Sequence, residues 1–88
     1  MLRITVDRRE GSVTLRLEGV IREAWVPEIE AACRDAREET PRVHLELTQV
    51  RFVDRSGLEA LKRLVANGVT IGGCTNFVRE LLHAEDVR

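Results

Sequence analysis

The sequence predicts an α/β fold, specifically a ββαβαβα superhelix in which helices cover one face of a mostly parallel four-stranded sheet. Two kinds of spacing predict it: short segments alternate apolar and polar residues, as strands do, and longer ones repeat apolar residues three and four apart, as helices do. Taken along the chain, these segments give the order strand, strand, helix, strand, helix, strand, helix. With 88 residues, the chain has room for a single domain, residues 1–88, with one core.

Each predicted strand is apolar on only one face. The turn Glu10-Gly11 separates the first two strands and favours a hairpin in which Gly11 adopts a positive φ. The fourth strand is the short run 69–71. The apolar positions are Leu2, Ile4 and Val6 in the first strand, Val13, Leu15 and Leu17 in the second, and Val43, Leu45 and Leu47 in the third.

Three segments have helical spacing. The first begins near Pro27, which is favourable in a first turn, and stops before Pro41. The second ends at Asn67-Gly68, residues that close helices in a left-handed conformation. Because helical crossovers join strands two, three and four, these strands should be parallel. The apolar stripes are Ile29, Ala32, Cys33 and Ala36 in the first helix, Leu58, Leu61, Leu64 and Val65 in the second, and Phe77, Val78, Leu81 and Leu82 in the third.

The alternation within the strands decides between two architectures. A sheet with helices on both faces needs strands that are apolar throughout, and these strands carry Arg, Glu, His or Thr at every other position. Helices should therefore cover one face, and crossovers that stay on one side place each strand beside the previous one. The polar face is left to solvent, to a polar partner or to a second copy in a homodimer.

Composition excludes several classes of function. The chain has 14 basic and 15 acidic side chains, and the basic ones are scattered rather than gathered into a stripe, so we expect no nucleic-acid partner. No apolar run has the length of a signal peptide or a membrane span, which predicts a cytoplasmic protein without membrane insertion. Cys33 and Cys74 are far apart, and His44 and His83 are isolated, so no metal, cofactor or disulfide is expected.

The most informative segment places Asp54 and Ser56 at the start of the second helix. Backbone N–H groups and the helix dipole favour negative charge there, so a phosphate on Ser56 would be stabilised. A purely structural interpretation is also open, because Ser56 with Glu59 three residues later fits a capping box. Asp54 likewise has two interpretations: it accepts hydrogen bonds from backbone donors of the loop, or it orients the serine and contacts a Mg²⁺ bound by a kinase.

Residues 44–58 read as an apolar strand, a short loop and then Asp54-Arg55-Ser56-Gly57-Leu58 at a helix start. In this order the chain resembles the STAS domain, the module of bacterial anti-sigma factor antagonists, which regulate transcription, and of the cytosolic tails of anion transporters. Residues 69–74 and 77–82 are similar to the next strand and helix of that family. The resemblance implies a phosphoprotein whose phosphoacceptor is Ser56, with partner-binding residues Asp54, Arg55, Gly57, Leu58 and Glu59.

The resemblance also implies the partner. In the family, a serine kinase that is also the anti-sigma factor phosphorylates the second serine of the motif and is captured by the unphosphorylated form. An alternative within the family is an accessory subunit of a lipid or anion transporter, which binds the transporter ATPase through the edge of the second helix. This chain departs from the motif in having Arg55 in place of the first serine and Glu46 in place of an aspartate. Arg55 either pairs with a phosphate on Ser56 or projects into water.

The segment Gly73, Cys74 and Thr75 suggests two further functions, a nucleophilic thiol and an anion-binding site. Cys74 follows a strand at a predicted helix start, where a lowered pKa would make its thiol a nucleophile, but a small buried cysteine is the commoner case and no enzyme is expected. The two loops that follow strands three and four should be neighbours, which would aim two helix N-termini at one anion-binding crevice. A nucleotide site there would be unconventional, because the chain has no GxxxxGK[ST] loop.

Overall fold

The computed structural model describes residues 1–74 and 79–80, and its elements follow the predicted order. The strands are β1 (Leu2–Arg9), β2 (Ser12–Ile21), β3 (Val43–Val53) and β4 (Thr70–Gly72), and the helices are α1 (Val26–Glu39) and α2 (Arg55–Ala66). One short 3-10 helix, Glu23–Trp25, leads into α1. Of the predicted third helix, Arg79 and Glu80 are helical, whereas Phe77, Val78, Leu81 and Leu82 lie outside the described residues.

The four strands lie side by side in the order β1-β2-β3-β4. β1 and β2 form an antiparallel hairpin, and Gly11 in its turn has a φ of +84°. β2 pairs with β3, and β3 with β4, in parallel. Each strand is thus next to its predecessor, as expected when both helical crossovers stay on the same side of the sheet. The predicted fold class is confirmed.

The core fills the space between one face of the sheet and the two helices. Among the described residues no polar or charged residue is buried. Each fully buried aliphatic side chain contributes about 1.5–3 kcal/mol of hydrophobic free energy. The largest fully buried side chains are Leu15, Leu17 and Ile21 from β2, Leu45, Leu47 and Val50 from β3, Ile29 and Cys33 from α1, Leu61 from α2, and Val69 before β4.

The other face of the sheet is polar, as the alternation predicted. Thr14, His44 and Thr70 lie opposite one another on adjacent strands, and Arg16 lies opposite Glu46. The His44 Nδ1 atom is 2.7 Å from the Thr70 hydroxyl oxygen, which links β3 to the short β4. The sheet therefore presents a hydrogen-bonding surface on the side that carries no described helix.

β3 is longer than predicted, because residues 49–53 continue the strand instead of forming a loop. Its pairing with β2 shifts register twice, between Arg16 and Glu18 and again between Gly19 and Val20. Such irregularities insert residues that change which side chains face the core. Val50 and Val53 are accordingly buried although they are three residues apart, and Phe52 between them is 38% exposed.

The helices end where the sequence signals predicted. Thr40 closes α1 immediately before Pro41, and Asn67 closes α2 immediately before Gly68, whose φ is +101°. A left-handed residue at that position lets the chain turn back toward β4. None of the described helices has the length and apolar character needed to cross a bilayer.

Burial of Cys33 on α1 generates a prediction about thiol reactivity. Desolvation raises the pKa of this thiol to about 11. Because only the thiolate is nucleophilic, this raised pKa makes the reactive form of Cys33 much rarer near neutral pH than in the unfolded chain. In a Cys74→Ser variant, we expect Ellman's reagent to modify Cys33 very slowly in the native protein and rapidly in denaturant. Equal rates in the two states would contradict the buried position, and Cys33→Ser is the matched control.

Candidate functional site

Asp54 occupies the N-cap of α2 and ties this helix to the loop that follows β2. Its Oδ1 atom accepts a hydrogen bond of 2.7 Å from the backbone N–H of Gly57, and its Oδ2 atom accepts one of 2.9 Å from the backbone N–H of Glu23. Its own N–H donates to the carbonyl of Ile21, also at 2.9 Å. Hydrogen bonds to an ionised carboxylate are stronger than neutral ones. The interpretation of Asp54 as an acceptor for backbone donors is confirmed.

Ser56 is not the cap of α2, so the predicted capping box with Glu59 is wrong. The helix begins at Arg55, which makes Ser56 its second residue, and Asp54 occupies the capping position instead. The reason is geometric: a cap at Ser56 would accept from the N–H of Leu58 or Glu59, but Ser56 lies inside the helix, and the Leu58 N–H already donates to the Asp54 carbonyl at 2.9 Å. The Ser56 side chain forms no hydrogen bond within the described part of the chain. Its hydroxyl is therefore not committed to holding the helix.

Ser56 is partly exposed in a shallow groove between the starts of α1 and α2. The groove is lined by carboxylates on two sides, from Glu23 and Glu59, and by Val26, Pro27 and Arg63. The guanidinium of Arg63 is already paired with Glu30 at 2.9 Å. A phosphate on Ser56 would lie near the positive end of the helix dipole but beside two existing negative charges. The groove would then become strongly acidic.

Arg55 and Glu59 flank Ser56 on the surface of α2. The Arg55 Nε and Glu59 Oε2 atoms are 3.9 Å apart, one helical turn from each other, and the Arg55 side chain is 80% exposed. An exposed pair of this kind contributes little to stability, about 0.3–0.5 kcal/mol. Gly57 is buried and Leu58 is only 7% exposed. Of the predicted partner-binding residues on α2, Arg55 and Glu59 thus present side chains to solvent, while Gly57 and Leu58 face the core.

Gly57 lets α2 pack directly on the ends of β2 and β3. A Cβ atom at this position would lie 2.6 Å from the Ile21 Cγ2 atom, 3.0 Å from the Ile21 carbonyl oxygen and 3.1 Å from the Val53 Cγ1 atom. Since carbon atoms make contact at about 3.5–4.0 Å, any side chain here would push the helix away. The glycine is required by close approach within the chain itself.

The predicted crevice between the two loops does not form. β4 has three residues and pairs with His44, Leu45 and Glu46 near the start of β3, whereas Asp54 follows the far end of that strand. At about 3.3 Å per residue, the loops are separated by roughly 20 Å. Gly73 instead lies against the Glu46 carboxylate and the Thr48 hydroxyl, and a carboxylate repels anions. The expectation of an anion site shared by these loops is therefore wrong.

Cys74 does not have the lowered pKa that a nucleophile would need. Burial raises the pKa of its thiol, and the nearby Arg79 offsets that effect only in part. Thr75, the third residue of the predicted anion site, lies outside the described residues. Within residues 1–74 and 79–80, no group of three or more His, Cys, Asp or Glu side chains is placed to hold a metal ion.

A contact between Arg22 and Phe52 beside this site could not be predicted from the sequence. The Arg22 guanidinium carbon lies 5.5 Å from the centre of the Phe52 ring, within the range of a cation–π interaction. Arg22 precedes Glu23, whose N–H binds Asp54, and Phe52 is two residues before Asp54. Strict alternation continued from Val43 would place Phe52 outward but Arg51 inward, whereas the irregular pairing of β3 with β2 leaves both side chains exposed.

Removal of the Asp54 carboxylate should destabilise the fold. Asp54→Ala leaves the N–H groups of Gly57 and Glu23 without acceptors, and we expect a loss of about 1–3 kcal/mol in the free energy of unfolding, measured with urea. Asp54→Asn keeps one acceptor oxygen, so its free energy of unfolding should lie between those of the wild type and Asp54→Ala. Glu59→Ala, an exposed acidic control on the same helix, should change stability by less than about 0.5 kcal/mol. Equal effects of Asp54→Ala and Glu59→Ala would contradict the double role of this carboxylate.

A methyl group at position 57 should also be costly. Gly57→Ala gains about 1 kcal/mol of helix propensity, but overpacking against Ile21 and Val53 costs about 1–3 kcal/mol, so we expect net destabilisation. Ser56→Ala in the same turn meets no such obstacle and serves as the control. A higher unfolding midpoint for Gly57→Ala would show that the helix has room to move outward.

Comparisons with known proteins agree with this architecture. A family model described as "Mlab, STAS domain" matches residues 4–87. A search of curated proteins returned no significant match.

Solved structures extend the comparison. An anti-sigma factor antagonist from Mycobacterium paratuberculosis has a TM-score of 0.78 and 20% identity over 99% of this chain and 80% of its own. The STAS domain of an antisigma-factor antagonist from Rhodobacter sphaeroides has a TM-score of 0.63 and 26% identity over 82% of this chain and 86% of its own. The antagonist SpoIIAA, in its unphosphorylated form, has a TM-score of 0.74 and 14% identity over 92% of this chain and 82% of its own.

The structures that are less than 25% identical support the fold alone, and the family match covers nearly the whole chain. The resemblance seen in the motif Asp54-Arg55-Ser56-Gly57-Leu58 is thereby confirmed at the level of the family. The chain belongs to the STAS domain family.

Proposed function

We propose that this chain is a protein-interaction module of the anti-sigma factor antagonist type, which binds a serine kinase that is also an anti-sigma factor. Membership of the STAS family and the likeness to antisigma-factor antagonists support the proposal. The docking surface consists of Arg55, Ser56 and Glu59, the side chains of the motif on α2 that reach solvent. In this function the chain performs no catalysis; it captures its partner and so regulates transcription.

We propose further that phosphorylation of Ser56 switches this surface. The observation that carries the proposal is the separation of two tasks: Asp54 caps α2, and the Ser56 hydroxyl forms no hydrogen bond with the described residues. A phosphate adds about 1.5–2 negative charges near pH 7. Because the cap is untouched, the domain stays folded while the groove between Glu23 and Glu59 becomes acidic and bulky. The modified surface no longer accepts the partner.

Substitutions at Ser56 test the switch. Ser56→Ala should bind the partner as the wild type does, and Ser56→Asp should bind about tenfold more weakly, because a carboxylate adds like charge beside Glu23 and Glu59. Isothermal titration calorimetry measures the affinity, and thermal unfolding should place both variants close to the wild type. Ser12 is the only other serine in the chain. It is the first residue of β2, whose last residue, Ile21, lies beside the start of α2, so Ser12→Asp is the matched control. Equal affinity of Ser56→Ala and Ser56→Asp would refute the switch.

The partner used in this titration must first be identified. Purification of the chain from its native cell, followed by mass spectrometry, reports both the bound protein and the phosphorylation of Ser56. A serine kinase would support the proposal. A transporter ATPase would instead establish the alternative, an accessory subunit that uses the same edge of α2.

A further inference from the structure

A second exposed surface lies on the polar face of the sheet, near the docking surface on α2. We call it the arginine surface and define it by Arg3, Arg22, Gln49, Arg51 and Phe52. Arg3, Gln49 and Arg51 line one shallow depression, which also contains Glu18, and Arg22 stacks on Phe52 at its edge. Each residue comes from β1, from β3 or from the loop after β2, so the sheet itself holds the surface in place.

The arginines of this surface have no acidic partner within the described part of the chain. Arg3, Arg22 and Arg51 are all exposed and form no ion pair there, whereas Arg8, Arg9, Arg55 and Arg63 pair with Glu39, Asp7, Glu59 and Glu30. Glu18 is the one carboxylate among the described residues that line the depression, so the three arginines leave an excess of about two positive charges there. That excess stands out on a chain whose net charge is −1.

The arginine surface comes close to the docking surface where β2 and β3 end. Phe52 lies two residues before Asp54, and Arg22 precedes Glu23, whose N–H is bound by Asp54 and whose side chain lines the Ser56 groove. A protein that covers Ser56 therefore lies next to the stacked Arg22 and Phe52. Arginine and aromatic residues are the types most enriched among strong contributors to protein interfaces.

We infer that the arginine surface binds an acidic segment of the protein that docks at Ser56; in assigning the segment to that partner, the inference rests on the proposed function. Planar guanidinium groups bind carboxylates through paired hydrogen bonds, and the Phe52 ring supplies an apolar contact for one side chain of the segment. Nucleic acid and anionic membranes fit less well. Glu18 lies in the same depression as Arg3 and Arg51, and Phe52 is the one aromatic residue of the arginine surface, too few for base stacking along a strand.

A peptide titration tests the inference without the partner. The probe is the blocked peptide Gly-Glu-Asp-Phe-Glu-Asp-Gly, and its matched control has lysine at each acidic position. Added to the ¹⁵N-labelled full chain, the acidic peptide should shift the amide signals of Arg3, Arg22, Gln49 and Arg51 in a saturable manner, and added salt should weaken the binding. The lysine peptide should leave these signals in place.

Charge reversal locates the binding site. The double variant Arg22→Glu/Arg51→Glu should bind the acidic peptide about tenfold more weakly or not at all. Arg34 and Arg42 are also exposed arginines without an ion pair in the described residues, but they lie on α1 and before β3, so Arg34→Glu/Arg42→Glu is the matched control and should bind as the wild type does. Ser56→Ala should likewise bind normally.

Several results would overturn the inference. They are the absence of saturable shifts, equal binding of the lysine peptide, and equal weakening by the two double variants. Tighter binding of single-stranded DNA or phosphatidylserine vesicles at the same arginines would also overturn it and would assign the surface to that ligand. Failure of the Ser56 switch with intact peptide binding would remove the switch, and purification without a serine kinase would remove the proposed partner; either result would leave the acidic-segment site standing. A working Ser56 switch without saturable peptide binding would remove only the acidic-segment site.

Discussion

The carboxylate of Asp54 holds together the parts of the molecule that meet at the candidate site. One oxygen caps α2, the other accepts a hydrogen bond from the loop after β2, and the main chain of the same residue binds the end of β2. Three hydrogen bonds from one residue fix the start of a helix relative to two neighbouring strands. This arrangement brings Gly57 against Ile21 and places Ser56 in its groove. It also brings Arg22 beside Phe52.

This arrangement makes α2 a rigid platform. The contact of Gly57 with Ile21 and Val53 leaves no space for the first turn to move inward, and the Asp54 hydrogen bonds oppose movement outward. Regulatory sites often act by shifting a helix or ordering a loop. Within the described residues, a charge placed on Ser56 would meet a helix start that is fixed in this way, so we expect its effect to be confined to the surface that the proposed partner would contact.

Most of the fold could be predicted from the sequence, because regular alternation and helical spacing report directly which residues face the core. Residues 49–53 could not, since the register shifts of β3 break the alternation on which the prediction depends. The capping residue of α2 could not be decided from the sequence, because Asp54 and Ser56 can both accept a hydrogen bond and only the backbone geometry shows where the helix begins. The anion crevice failed for a similar reason: strand spacing does not reveal that β4 pairs only with the beginning of β3.

Asp54 caps α2 and Ser56 does not, and this separation has an evolutionary consequence. A phosphoacceptor that also capped its helix could not be lost without a penalty in stability, so regulation and folding would be inherited together. The Ser56 side chain forms no hydrogen bond within the described residues, so we expect a substitution at this position to leave the helix start intact. Under the proposed function, covalent control at position 56 could therefore be acquired or abandoned by point mutation without a change to the scaffold.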